Sequence, residues 1–68
     1  MRFDELTKRE VEILQLLAQG MRVDDIGTRL EIRPTTVQTH IRNTLYKLGV
    51  HSKLEAVAYA VKNGVITV

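Results

Sequence analysis

The sequence predicts an all-α domain of four helices. Apolar residues recur at three- and four-residue spacing in four separate segments, and no segment alternates convincingly as a strand would. Each segment opens on a helix-starting signal, and three of the four are followed by a glycine. With 68 residues, 44% of them hydrophobic, and no repeat, low-complexity stretch or Pro/Gly-rich linker, the chain reads as one domain over residues 1–68. Residues 1–6 are expected to be a loosely held lead-in. A domain of this size buries only about 60% of its unfolded surface, so its stability is modest.

The first helix starts at Thr7. Glu10 follows three residues later, so "TKRE" forms a capping box in which hydroxyl and carboxylate each satisfy one free amide. Val11, Leu14, Leu17 and Ala18, joined by Ile13, give the apolar stripe, and Gly20 closes the helix in a left-handed conformation. The second helix is short, about Val23 to Leu30. Asp24 and Asp25 suit the positive end of its dipole, and Ile26 and Leu30 face the core. Gly27 inside it either admits a close neighbour or is a blemish costing about 1 kcal/mol relative to Ala. Gly27→Ala is expected to stabilise by about 0.5–1 kcal/mol.

The third helix runs over 34–48. Pro34 fits the first helical position, where no N–H is needed. Val37, Ile41, Leu45 and Leu48 form its buried stripe with Thr44 at the edge, and Gly49 ends it. Only Glu31, Ile32 and Arg33 separate it from the second helix. The fourth helix opens on "SKLE", a second capping box from Ser52 to Glu55, and runs to about Lys62 before Gly64. Ala56, Val57 and Ala60 can face the core. Leu54, Ala58 and Val61 make a second apolar stripe on an adjoining face, which is either part of one wide buried arc or a subunit interface. The final "VITV" is either a frayed tail or a packed cover.

Several classes are excluded. Without cysteine there is neither a disulfide nor a thiolate metal site, and two histidines alone do not make a zinc site. No apolar run approaches the roughly 18 residues of a membrane span. "MRFDELTKRE" has no apolar signal segment, so a cytoplasmic location is expected. Glu10 and Glu12 lie on different helix faces, so they are not a catalytic pair. Glu10 is instead expected to cap the first helix and to pair with Lys47. No nucleophile, base and orienting acid can be assembled, so no enzyme and no cofactor are expected.

Charge divides the chain. Residues 1–32 carry five cations against seven anions, whereas residues 33–68 carry five cations against Glu55 alone. That asymmetry suits a polyanion on one face. Two helices joined by about three residues, the second longer and basic, make a helix-turn-helix whose second helix enters the DNA major groove. The stretch Ile32 to Val50 holds Arg33, Arg42 and Lys47 and no acid. Opposite its apolar stripe stand Thr35, Gln38, Thr39, Arg42 and Asn43, donors and acceptors suited to phosphates and base edges. His40 is read either as a phosphate contact or as a structural residue, and His51 as a solvated loop residue.

"LTKREVEILQLLAQG", "IGTRL", "TTVQTHIRNTLYKLGV" and "EAVAYA", in that order, resemble the LuxR-type helix-turn-helix, the C-terminal output domain of NarL/FixJ response regulators. The resemblance covers about Leu6 to Val65. It implies a four-helix domain that binds double-stranded promoter DNA, dimerises through its last helix and controls transcription, with RNA polymerase as a further partner. By position it assigns base contacts to Gln38, Thr39 and Arg42, and DNA-backbone contacts to Thr36, Asn43 and Lys47, with Arg33 and Lys53 at the edge. If about four phosphates are neutralised per subunit, log K should fall against log salt with a slope near −3.6. Lys47→Ala should weaken all sequences alike. The chain departs from the family at three places: Arg33 replaces a common Ser cap, Gly27 a usual Ala, and Gln38 a common basic residue. Two rivals remain, a sigma-factor-like promoter-binding region and a protein-interaction module using the fourth helix.

Overall fold

A computed structural model describes residues 3–68. A 3₁₀ turn over Phe3–Glu5 precedes α1 (Lys8–Ala18), α2 (Val23–Leu30), α3 (Pro34–Leu48) and α4 (Lys53–Lys62). The four helices lie where the sequence puts them. No strand occurs among the described residues.

The N-terminal caps differ. Thr7 completes its capping box: the Glu10 amide donates to Thr7 Oγ1 at 3.0 Å, and the Thr7 amide donates to Glu10 Oε1 at 2.9 Å. At α4 the Ser52 hydroxyl accepts from the Glu55 amide at 3.1 Å, but the Glu55 carboxylate takes the amide of His51, at 2.7 Å, rather than that of Ser52. The box is therefore displaced by one residue, and it ties the α3–α4 loop to α4. Arg33 caps α3 without a side-chain bond, which leaves Pro34 to start the helix.

All four helices end in one hydrogen-bond pattern, a Schellman motif. In α1, α3 and α4 the left-handed residue is Gly20, Gly49 and Gly64. In α2 it is Glu31, at φ 60°. The amide of Ile32 donates to the Gly27 carbonyl at 2.9 Å and that of Glu31 to the Thr28 carbonyl at 3.3 Å. A non-glycine residue there costs on the order of 1 kcal/mol. The same turn folds tightly onto Gly27. A Cβ added to Gly27 would stand 2.8 Å from the carbonyl oxygen of Ile32, a backbone atom. The expectation that Ala would stabilise is thereby reversed. Overpacking typically costs about 1–3 kcal/mol, which exceeds the gain of about 1 kcal/mol in helix propensity. Gly27→Ala should lower the melting temperature by about 5 °C; a higher one would show that the turn yields freely.

The core has two lobes. Ile13, Leu16, Ile26, Val37 and Ile41 form the first, between α1, α2 and α3. Leu14, Leu48, Ala56, Ala60 and Ile66 form the second, between α1, α3, α4 and the C-terminal segment. Leu45, half-buried, packs against both. Leu16 was absent from the predicted stripe of α1, which otherwise has the right phase. Thr44 is not at an edge. It is 2% exposed, and its hydroxyl donates to the His40 carbonyl at 2.8 Å, which lets a polar side chain enter the core.

The segments flanking the four helices are packed among the described residues. The lead-in is held: Phe3 lies against Tyr59 with ring centroids 5.3 Å apart, and Leu6 joins the second lobe. "VITV" is a cover, with Ile66 buried and the backbone of Thr67 bonded in both directions to the side-chain amide of Gln15. Residues 1 and 2 of the predicted lead-in lie outside the described residues.

Candidate nucleic-acid interface

One helix, α3, has two chemistries. Val37, Ile41, Thr44 and Leu48 are buried. Thr35, Thr36, Gln38, Thr39, Arg42 and Asn43 are exposed, as are Arg33 before the helix and Lys53 at the start of α4. Positions i, i+4 and i+7 share a face at 3.6 residues per turn, so Thr35, Thr39 and Arg42 form one line along the helix. Gln38 flanks it on one side, Thr36 and Asn43 on the other. No acid lies on this helix.

The line is internally bonded. Thr39 Oγ1 donates to the Thr35 carbonyl at 3.1 Å, and Arg42 Nη2 donates to Thr39 Oγ1 at 3.4 Å. The second contact is long, so it directs the guanidinium along the face without tying it down. Lys53 joins from another element. It lines a shallow cleft with Val23, Gln38, Ile41, Arg42 and Leu45, which brings a cation of α4 beside the centre of α3.

Lys47 meets the partner that the sequence predicts for it. Its ammonium lies on Glu10, with Nζ 2.9 Å from Oε1 and 3.2 Å from Oε2. Glu10 is 3% exposed. Burial alone pushes its carboxyl up. The Lys47 ammonium, the Thr7 amide and the nearby His40 outweigh that effect and hold its pKa below the ordinary 4.5. One carboxylate thus caps α1 and neutralises a cation on α3. The pairing of Glu10 with Lys47 is legible in the sequence; its consequence is that the ammonium expected on the DNA backbone is already engaged by a carboxylate.

Comparison with known proteins gives the family of the chain. The profile for bacterial regulatory proteins of the luxR family matches residues 4–60. The chain belongs to the luxR family.

Among its luxR-family relatives is the transcriptional regulatory protein LiaR of Bacillus subtilis (strain 168), 46% identical over 63 residues, which are 93% of this chain and 30% of LiaR. The response regulator protein VraR of Staphylococcus aureus (strain NCTC 8325 / PS 47) is 41% identical over 64 residues, 94% of this chain and 31% of VraR. The chain therefore spans about 30% of the length of these relatives. Of solved structures, the transcription factor GerE superposes with a TM-score of 0.87 at 40% identity, over 91% of this chain and 92% of GerE. The response regulator ChrA of a heme-sensing two-component system gives 0.85 at 38% identity, over 90% of this chain and 30% of ChrA.

Two further surface features complete the luxR-family domain. On α4, Leu54 is 80% exposed and Ala58 is exposed, but Val61 is half-buried against the second lobe. The second stripe is therefore split: two of its residues are free, and the third belongs partly to the core. Sequence reasoning also left Tyr46 out of the exposed face of α3. Its spacing from Arg42, four residues, would have placed it there.

Proposed function

We propose that this luxR-family chain is the DNA-reading module of a transcription regulator of the response-regulator kind, acting in the cytoplasm. In this reading α3 enters the major groove of promoter DNA. Gln38, Thr39 and Arg42 meet base edges, while Arg33, Thr35, Thr36, Asn43 and Lys53 hold the phosphate backbone. Two copies associate through Leu54 and Ala58 on α4 and occupy two half-sites, and RNA polymerase is the downstream partner. The observation that carries the reading is the acid-free, bonded line Thr35–Thr39–Arg42 on a helix braced from behind by three others. A protein-interaction module would not need α3 free of acids. A sigma-factor-like region would not need the fourth helix.

A salt titration tests it. With Lys47 held by Glu10, the free cations of the face are Arg33, Arg42 and Lys53. Three neutralised phosphates give a slope of log K against log salt near −2.7 per subunit, shallower than four would give. A flat response would exclude DNA as the partner. The dimer has its own arm. Leu54→Glu with Ala58→Glu leaves Val61 and the core untouched. The doubly substituted chain should stay folded and bind single half-sites, and it should lose cooperative binding to paired half-sites, since the missing association energy comes from effective concentration on the DNA. Retained cooperativity would move the interface off α4.

A further inference from the structure

Tyr46 is 89% exposed, the most exposed of the large apolar or aromatic residues among those described. It extends the line Thr35, Thr39, Arg42 to i+11, so its ring stands on the same stripe as the residues read above as DNA contacts. Nothing in the packing of the domain requires an aromatic side chain there. The next position, Lys47, would be the natural anchor for the C-terminal half of α3, but its ammonium is engaged by Glu10. Beyond Arg42 the exposed stripe therefore presents Asn43 and Tyr46 as its hydrogen-bond donors, and no free cation.

The geometry along the helix axis fixes what Tyr46 can meet. At 1.5 Å per residue it lies about 16 Å from Thr35 and about 6 Å beyond Arg42. A major groove is about 12 Å wide, and helices of this motif read bases from their N-terminal half. A helix seated with Thr35 to Arg42 over base edges carries Tyr46 out to the wall of the groove, where the sugar–phosphate chain runs. We infer that Tyr46 is a DNA-backbone ligand: its phenolic hydroxyl donates to a phosphate oxygen, and it takes the anchoring place that Lys47 gives up to Glu10. The inference rests on the DNA-binding reading above.

A neutral donor on a phosphate has a distinctive signature. It releases no counterion, so it contributes affinity without steepening the salt dependence, and it contributes alike on every sequence. Tyr46→Phe should weaken binding about tenfold, as loss of a hydrogen bond to a charged group does. The loss should be equal on sheared mixed-sequence duplex DNA and on duplexes recovered by selection, and the salt slope should not change. Tyr46→Arg should restore affinity and steepen the slope by about 0.9 per subunit, because the new cation would displace one counterion. Both variants should melt as the unsubstituted chain does, since the side chain is solvated. Full affinity in Tyr46→Phe together with an unchanged slope in Tyr46→Arg would overturn the assignment, provided the unsubstituted chain binds. A loss in Tyr46→Phe confined to selected sequences would make Tyr46 a base contact and overturn it equally. If the unsubstituted chain itself shows no salt-dependent binding, the DNA reading and this inference fall together.

Discussion

Replacing Glu10 by Ala is expected to destabilise the domain strongly. It removes the side-chain half of the α1 capping box, worth about 1 kcal/mol, and it leaves the Lys47 ammonium facing α1 without its partner. Losing one member of a buried pair costs about 3–5 kcal/mol, but Lys47 keeps 28% of its side chain in solvent, which screens part of that. A net loss of about 2–3 kcal/mol is expected, against a total of about 3–10 kcal/mol for a chain of this length. The melting temperature should fall by on the order of 10 °C. Glu10→Gln should fall less, because the amide oxygen can still accept from Thr7.

The same residue sets an acid limb. The Glu10 carboxyl has a folded pKa below its ordinary 4.5, so the folded state binds the proton more weakly than the unfolded chain does. The stabilisation is complete above the ordinary value and is lost as pH falls through the lower, folded one. Urea midpoints measured from neutral pH downward should show this loss in the unsubstituted chain, and Glu10→Gln should lack that share of it. Identical acid limbs in the two chains would remove Glu10 as its source.

Arg42→Ala carries the largest expected effect on binding. The side chain is exposed and its hydrogen bond to Thr39 is long, so the fold should be unaffected. A guanidinium bidentate to guanine contributes about 1–3 kcal/mol of discrimination. Affinity should fall by about 5- to 150-fold, and selection from randomised DNA should show relaxed preference at one base position per half-site. A uniform loss across all sequences, with preferences intact, would reassign Arg42 to the phosphates. Lys47→Ala no longer serves as the sequence-independent counterpart, since it would unpair Glu10 and weaken the fold. Lys53→Ala is the cleaner contrast.

The elements were legible in the sequence because each carries its own local signals: Thr7 with Glu10, Pro34, Ser52, and a glycine after three of the four helices. The capping geometry of α4 was less so, because Ser52 and His51 both present an amide within reach of Glu55, and only the path of the loop selects His51. Gly27 was misjudged for a related reason. Helix propensity is a property of one residue, whereas the clash is with Ile32, whose carbonyl is brought there by the left-handed turn at Glu31. The spacing of Leu54, Ala58 and Val61 leaves open whether their face is buried or free; the second lobe, which includes Ile66, takes in Val61 alone of the three. At the candidate site, the exposed side of α3 followed from periodicity alone. The pairing of Lys47 with Glu10, 37 positions away, is expected from the sequence, but counting positive charges does not weigh how far it occupies the ammonium.

The division of α3 into a buried and a solvated side bears on how regulators of this kind diversify. Val37, Ile41, Thr44 and Leu48 carry its share of the folding free energy, while Thr35, Gln38, Thr39 and Arg42 are exposed. Exposed substitutions of this sort usually change stability by less than about 0.5 kcal/mol. A lineage can therefore exchange the residues that choose a target sequence without first accumulating compensating changes in the interior. Duplicated copies can drift apart in the promoters they recognise while the scaffold is held fixed by selection on a separate set of positions.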